Sequence, residues 1–126
     1  MGDLTELTLA AAAAAVAAGE VSPVELTTAY LERIEGLNPV LTAFVEVTAD
    51  RALADAATLA EESVAGRLRG PLHGVPVALK DLVDTAGIPT RAGTVGYQDR
   101  VPGHRRHHRA AAARGRDGAA RQDGHR

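Results

Sequence analysis

The chain has 126 residues and a net charge of −2, with 45% hydrophobic residues and no cysteine. This length suits one small domain, and the lack of cysteine excludes disulfides, thiolate chemistry and cysteine-ligated zinc. One Phe, two Tyr and no Trp leave only a thin, alanine-rich core. We therefore expect the chain to need partner surface, including self-association through exposed apolar faces.

The longest apolar stretch, Leu9 to Ala18, is too short and too rich in alanine to span a bilayer. It is preceded by Asp3 and Glu6 rather than by a basic segment, which argues against a secretory signal. The sequence therefore predicts a cytoplasmic protein that makes no contact with membranes.

Two helices are expected in the first forty residues. The first runs from Leu4 to Ala18 and ends at Gly19, which tolerates a positive φ. The second begins with a capping box formed by Ser22 and Glu25, and Asn38-Pro39 stops it. Its inward stripe consists of Leu26, Tyr30, Ile34 and Leu37.

A short strand and a third helix follow. Leu41 to Val47 is rich in β-branched and aromatic residues, which favours a strand. Thr48 or Asp50 can cap a helix that reaches about Val64 and closes at Gly66. The residues expected to face inward are Leu53, Ala56, Ala57, Ala60 and Val64.

Lys80 is the only lysine of the chain, and it ends the apolar run Val75 to Lys80. The pattern of this run predicts a buried strand, with Lys80 on the same face as the small Ala78. Arginine cannot lose its proton near neutral pH, whereas a desolvated lysine amine can. Lys80 is therefore the candidate general base. The alternative is a lysine whose amine reaches solvent past apolar neighbours.

The run Gly70-Pro71-Leu72-His73-Gly74-Val75-Pro76-Val77-Ala78-Leu79-Lys80-Asp81 closely resembles the lysine segment of the amidase signature family. The similarity continues through Asp84 to Gly87 and on to Gly93, and residues 1–100 resemble the family's N-terminal portion. The resemblance implies an α/β fold, with a mixed β-sheet flanked by helices, of which this chain holds an incomplete part. It also implies a hydrolase of amide bonds or, alternatively, the glutaminase subunit of a tRNA-dependent amidotransferase.

Family members use a Ser–cis-Ser–Lys triad, and the resemblance places Lys80 at the catalytic lysine. A small amide is then the substrate, and neither a metal nor an organic cofactor is required. The chain contains only Ser22 and Ser63, neither of them in a glycine- and serine-rich loop. We therefore expect an inactive, truncated fragment. A non-catalytic fragment that binds another chain is the remaining alternative.

The C-terminal residues differ sharply from the rest. Residues 1–100 hold seven basic and fourteen acidic residues, a net charge of −7, whereas residues 101–126 hold seven arginines and two aspartates, a net charge of +5. We expect a disordered tail there, since no periodic apolar face is present. The codons of Pro102 to Arg109, read one nucleotide later, can encode an Asp-Ala-Thr helix start that resembles the family. A frameshifted tail is therefore our sharper hypothesis.

Other polar residues receive structural interpretations. The tail arginines could contact nucleic acid, but no aromatic side chains are interleaved for base stacking. Asp81 and Asp84 could form an acid–base pair beside Lys80, although Asp84 more simply caps the turn at Thr85 and Asp81 can pair with a cation. His73 is interpreted as a structural loop residue. A metal site is not expected at the tail histidines, whose arginine neighbours repel cations: His104, His107, His108 and His125.

Overall fold

Three α-helices carry the fold of residues 2–103, the part of the chain that the computed structural model describes. They are α1 (Leu9–Ala17), α2 (Pro23–Leu41) and α3 (Ala49–Val64). Short 3₁₀ helices lie at Leu4–Glu6 and Val95–Tyr97. Helix α2 packs against α3 and against the first 3₁₀ helix. The tail from residue 104 onward, including its four histidines, lies outside the described residues.

The two predicted strands are wrong for this part of the chain. Neither Leu41 to Val47 nor Val75 to Lys80 forms a strand, and residues 2–103 contain no β-strand at all. The β-pairing present within this range is a single bridge between Thr85 and Ile88. A strand is stabilised by hydrogen bonds to a neighbouring strand, so an apolar, β-branched segment without one stays irregular. The mixed sheet is consequently not seen in these residues.

The first predicted helix is divided in two. Leu7 is extended, and Thr8 caps α1 by accepting a hydrogen bond from the amide of Ala11 at 3.2 Å. Asp3 caps the preceding 3₁₀ helix through the amide of Thr5. Two competing N-caps five residues apart favour two short elements over one long helix. The predicted end at Gly19 is confirmed, with φ at +74°.

The predicted capping box of α2 is confirmed in both directions. The Ser22 hydroxyl accepts from the Glu25 amide at 3.0 Å, and the Glu25 carboxylate accepts from the Ser22 amide at 2.8 Å. The predicted stop at Pro39 is wrong, because α2 continues to Leu41 and is capped at Thr42. Pro39 has no amide hydrogen, so the last turn of α2 has one backbone hydrogen bond fewer, but the helix does not end there.

Helix α3 ends as predicted, but its inward face is rotated from the predicted one. Ala56 and Leu59 are buried, whereas Ala57 is exposed and Val64 is 91% exposed. Gly66 follows with φ at +72° and closes the helix. On α2, Leu26 is buried as predicted, but Leu37 is exposed.

The core lies between α1, the start of α2 and one downstream residue. Tyr30, Leu4 and Leu7 pack around its edge. Its buried hydrophobic members are Ala12, Ala15, Val16, Val21, Leu26 and Val75. Because most of these side chains are small, the predicted thin core is confirmed. No helix within residues 2–103 is both long and apolar enough to cross a membrane.

Gly74 brings the downstream chain against this core. Its φ is +77°, and a Cβ built on it would lie 2.5 Å from Pro23 Cγ and 3.2 Å from Val16 Cγ1. Pro23 itself is fully buried at the first position of α2. A side chain at position 74 therefore meets both a strained backbone and a rigid ring.

We expect Gly74→Ala to destabilise the chain more than Gly66→Ala, which introduces the same positive-φ strain into open space. The strain alone costs about 1–2 kcal/mol, and overpacking at position 74 adds about 1–3 kcal/mol. Urea unfolding of the two variants and the wild type measures the difference. Equal losses of stability in both variants would show that Pro23 does not crowd position 74.

Candidate active site

His73 fixes the chain that leads to Lys80. The side chain is 4% exposed. Its Nδ1 accepts a hydrogen bond from the Arg69 amide at 3.0 Å, and its Nε2 lies 2.8 Å from the carbonyl oxygen of Leu59. An amide can only donate and a carbonyl can only accept, so the ring carries its proton on Nε2. The structure therefore supports the structural interpretation of His73.

An ion pair holds the same turn to α3. The Arg69 guanidinium donates to both carboxylate oxygens of Glu62, at 2.6 and 2.7 Å. This hydrogen bond is the main reason that the pKa of the Glu62 carboxyl lies below its usual range, while burial acts in the opposite direction. The pKa of Arg69 is raised by the same bond. Helix α3 and the loop before Lys80 are thus joined by a charged and a neutral contact.

Lys80 lies in an irregular segment after Val75, and it is exposed. The prediction that the Lys80 amine is buried is therefore wrong within residues 2–103. The segment leaves the core after Val75, because the described part of the chain offers no strand to cover it. Three large apolar side chains near the lysine are exposed with it: Val77, Leu79 and Leu82.

Asp81, the residue after Lys80, closes a loop that we call the post-lysine loop, residues 81–93. Its Oδ1 accepts from the Arg91 amide at 2.9 Å, and its carbonyl oxygen accepts from the Ala92 amide at 2.9 Å. The Arg91 guanidinium reaches Glu46 at 3.3 Å. Sequence reasoning missed this role, since a contact between side chain and backbone across ten residues has no local signature.

The post-lysine loop has further contacts on its far side. Asp84 forms a two-bond ion pair with Arg100, at 2.6 and 2.9 Å, and this hydrogen bond raises the pKa of Arg100. The Arg51 guanidinium donates to the carbonyl of Ala86 at 2.7 Å. The predicted cap by Asp84 at Thr85 stays a prediction. Neither aspartate is thereby assigned to proton transfer.

Both serines have structural roles, of which the sequence predicted the capping role of Ser22. Ser22 caps α2, and the Ser63 hydroxyl donates to the Leu59 carbonyl at 3.0 Å within α3. The part of the chain that the structure describes also contains no cluster of three or more potential metal ligands among His, Cys, Asp and Glu. Lys80 is thus the one sequence-predicted catalytic residue in this segment.

A comparison with protein families matches residues 25–104 to the family described as Amidase. The chain belongs to the amidase family. The match includes all but the first two residues of α2, and all of α3, Lys80 and the post-lysine loop. The resemblance inferred from the lysine segment is therefore confirmed.

Relatives of this amidase-family chain have two kinds of names. It is 48% identical over 94 residues to the A-type subunit of the glutamyl-tRNA(Gln) amidotransferase of Chloroflexus aurantiacus, covering 75% of this chain and 19% of that protein. It is 45% identical over 98 residues to an amidase of Pseudomonas putida, covering 78% of this chain and 21% of that protein.

Solved structures of peptide amidase share the fold of the chain. The native enzyme from Stenotrophomonas maltophilia matches with a TM-score of 0.72 and 43% identity, covering 77% of this chain and 20% of that one. A peptide amidase bound to the competitive inhibitor chymostatin gives the same values. The chain therefore spans about a fifth of the length of the relatives and structures that it matches.

Acid should weaken the contact between α3 and the turn before Lys80. Because the pKa of Glu62 is depressed in the folded state, its pairing with Arg69 stabilises the fold fully above the usual carboxyl pKa of about 4.3. That contribution is lost as the pH falls through the lower folded-state value. We expect the stability difference between wild type and Glu62→Gln to be largest near neutral pH and to vanish in acid.

Chemical denaturation of both proteins between neutral pH and pH 3 measures that difference. Glu61→Gln makes the same change at the adjacent, exposed residue and is the matched control. A stability difference for Glu62→Gln that persists unchanged in acid would show that the ion pair does not contribute.

His73→Leu should cost about 1–3 kcal/mol of unfolding free energy, because it removes the acceptor of the Arg69 amide and a donor to the Leu59 carbonyl. His73→Asn places an amide oxygen near the position of Nδ1, and we expect it to recover part of this loss. Thermal and urea unfolding compare the two. Equal stability of wild type and His73→Leu would contradict the assigned hydrogen bonds.

Proposed function

We propose that this chain is the lysine-bearing part of a hydrolase that cleaves carbon–nitrogen bonds of linear amides, with Lys80 as general base and then general acid. The observation that carries this proposal is the position of Lys80 within the region matched to the amidase family. Relatives named amidase and peptide amidase, at 45% and 43% identity, support the reaction class.

The proposed reaction is a Ser–cis-Ser–Lys acyl transfer. The neutral Lys80 amine accepts a proton from the bridging serine, which accepts one from the nucleophilic serine as that oxygen bonds to the amide carbon. The proton then passes back to the leaving nitrogen, and the carbon–nitrogen bond breaks. Water attacks the resulting ester along the same proton path. Neither a metal nor an organic cofactor enters this scheme.

Both serines of the triad must come from outside the 126 residues, because Ser22 and Ser63 are held in structural contacts. The exposed side chains of Val77, Leu79 and Leu82 favour burial of this segment against further residues of a mixed sheet. Such packing would desolvate the Lys80 amine and favour its neutral form. We expect the 126-residue chain alone to show no amide hydrolysis.

A glutaminase subunit of a tRNA-dependent amidotransferase is the second candidate. It is favoured by 48% identity to a relative that carries the name of such an amidotransferase component. The two functions differ in the nitrogen donor, which is free glutamine for the glutaminase and a different amide for an amidase. Residues 2–103 can replace the matching segment of the Chloroflexus amidotransferase subunit as well as that of the peptide amidase, and the host in which they support activity discriminates the two functions.

A non-catalytic interaction role is the third candidate. Val40 is 84% exposed and Val64 91% exposed, and self-association would bury such side chains. Size-exclusion chromatography over a range of concentrations tests it. A monomer at all concentrations would argue against this role.

The catalytic proposal is tested in a chimera in which residues 2–103 of this chain replace the matching segment of the Stenotrophomonas peptide amidase. We expect the chimera to hydrolyse amides and Lys80→Met to lower kcat by about 100-fold or more, because general acid–base catalysis contributes about 10²–10⁴-fold. Lys80→Arg should lower kcat as well, because a guanidinium keeps its proton.

Arg67→Met removes an exposed positive charge from the same region and is the control, with activity expected to equal that of the chimera. Unimpaired turnover in Lys80→Met would exclude Lys80 as the base.

A further inference from the structure

We propose that Asp81 is a positioning residue: its hydrogen bonds fix the backbone next to Lys80 and thereby determine where the lysine lies. This inference deepens the proposed function and rests on it for its catalytic meaning. The structural part of the inference is supported by hydrogen bonds among residues 80–92. Asp81 thereby differs from an acid–base partner of the amine, the other role open to a carboxylate beside a lysine.

Asp81 holds two successive amides of the post-lysine loop. Its side-chain Oδ1 accepts from Arg91 and its carbonyl oxygen accepts from Ala92, both at 2.9 Å. One residue earlier, the carbonyl oxygen of Lys80 accepts from the Val83 amide at 3.0 Å. Consecutive carbonyls at positions 80 and 81 are thus both engaged, and the carboxylate adds a third bond at the same place.

The backbone partner of Asp81 is held in an unfavourable conformation. Ala92 has φ at +51°, a left-handed value that side-chain-bearing residues rarely adopt. Such conformations persist where surrounding contacts over-determine them, and they occur often at functional sites. Here the two bonds to Asp81 and the contact of Arg91 with Glu46 hold the strained turn.

Lys80 lies between two positions of the backbone that are held by contacts. On one side Val75 is buried in the core, and on the other side Asp81 closes the post-lysine loop. The intervening residues Val77 to Lys80 are exposed within residues 2–103. Because helices and strands do not support this stretch, its course depends on its two ends. Loosening the Asp81 end should therefore displace the lysine directly.

Two substitutions separate position from charge. Asp81→Asn keeps an oxygen at the site of Oδ1 and removes the charge, whereas Asp81→Glu keeps the charge and moves the carboxylate by one methylene. Positioning predicts that Asn preserves the wild-type behaviour and Glu does not. An acid–base role predicts the reverse order. Asp81→Ala removes both properties, and Asp99→Ala is the matched control at an exposed residue of the same region.

The single lysine makes the first measurement specific. When the 126-residue chain is labelled with ¹⁵N-lysine only, its one lysine backbone amide signal comes from Lys80. We expect an order parameter near 0.85 in wild type, Asp81→Asn and Asp99→Ala, and a value below about 0.6 in Asp81→Ala and Asp81→Glu. Far-UV circular dichroism checks that the helices persist. Should Asp81→Ala lose its helices, Asp81→Glu provides the comparison with Asp81→Asn.

An equally ordered Lys80 amide in wild type and in a helical Asp81→Ala or Asp81→Glu protein would overturn the inference. So would a loss of order in Asp81→Asn that matches the loss in Asp81→Glu. This measurement needs no catalytic activity, so it stands or fails separately from the role of Lys80 in the reaction.

The chimera supplies the catalytic measurement. We expect Asp81→Glu to lower kcat by about 100-fold, the loss typical of a displacement of about 1 Å, with little change in KM. Asp81→Asn should keep kcat and the pH profile of the chimera. An inactive Asp81→Asn chimera with an ordered Lys80 amide would overturn positioning in favour of a charge role. Full activity of Lys80→Met would instead overturn the proposed function and leave the structural inference intact.

Discussion

The close packing of the Gly74 backbone against the ring of Pro23 is the constraint on which the placement of Lys80 depends. Pro23 is held at the start of α2 by the reciprocal bonds of Ser22 and Glu25. Gly74 fits over it because no side chain intervenes, and Val75 then enters the core. Helix capping, an ordinary local interaction, thereby determines where the candidate catalytic segment leaves the body of the protein.

The features that sequence could predict are those determined by neighbouring residues. The capping box of Ser22 and Glu25 and the glycine-terminated ends of α1 and α3 follow from contacts within a few positions. The family could be predicted as well, because the motif around Lys80 is long and specific. Predicting each of these features requires no information about residues far away in the sequence.

The features that sequence could not predict depend on partners far along the chain or outside it. Val75 to Lys80 has the composition of a strand, but strand formation requires a neighbour, and the described residues supply none. The prediction that Lys80 is buried is wrong for the same reason. The sequence suggests Asp81 as an acid or as the partner of a cation, whereas the structure shows that it accepts hydrogen bonds from backbone amides. The buried face of α3 also depends on what the helix packs against, and α2 is one such partner.

The core packs residues 12–26 against Val75, which lies far along the chain, and this sequence separation affects the order in which the contacts form during folding. Helices α1 and α2 can meet early, since only a short turn separates them. Val75 can dock only after the chain has closed a loop of roughly fifty residues, an entropic cost that delays its contacts. The His73–Val75 segment should therefore form after the transition state. Weakening it should speed unfolding while leaving the folding rate nearly unchanged.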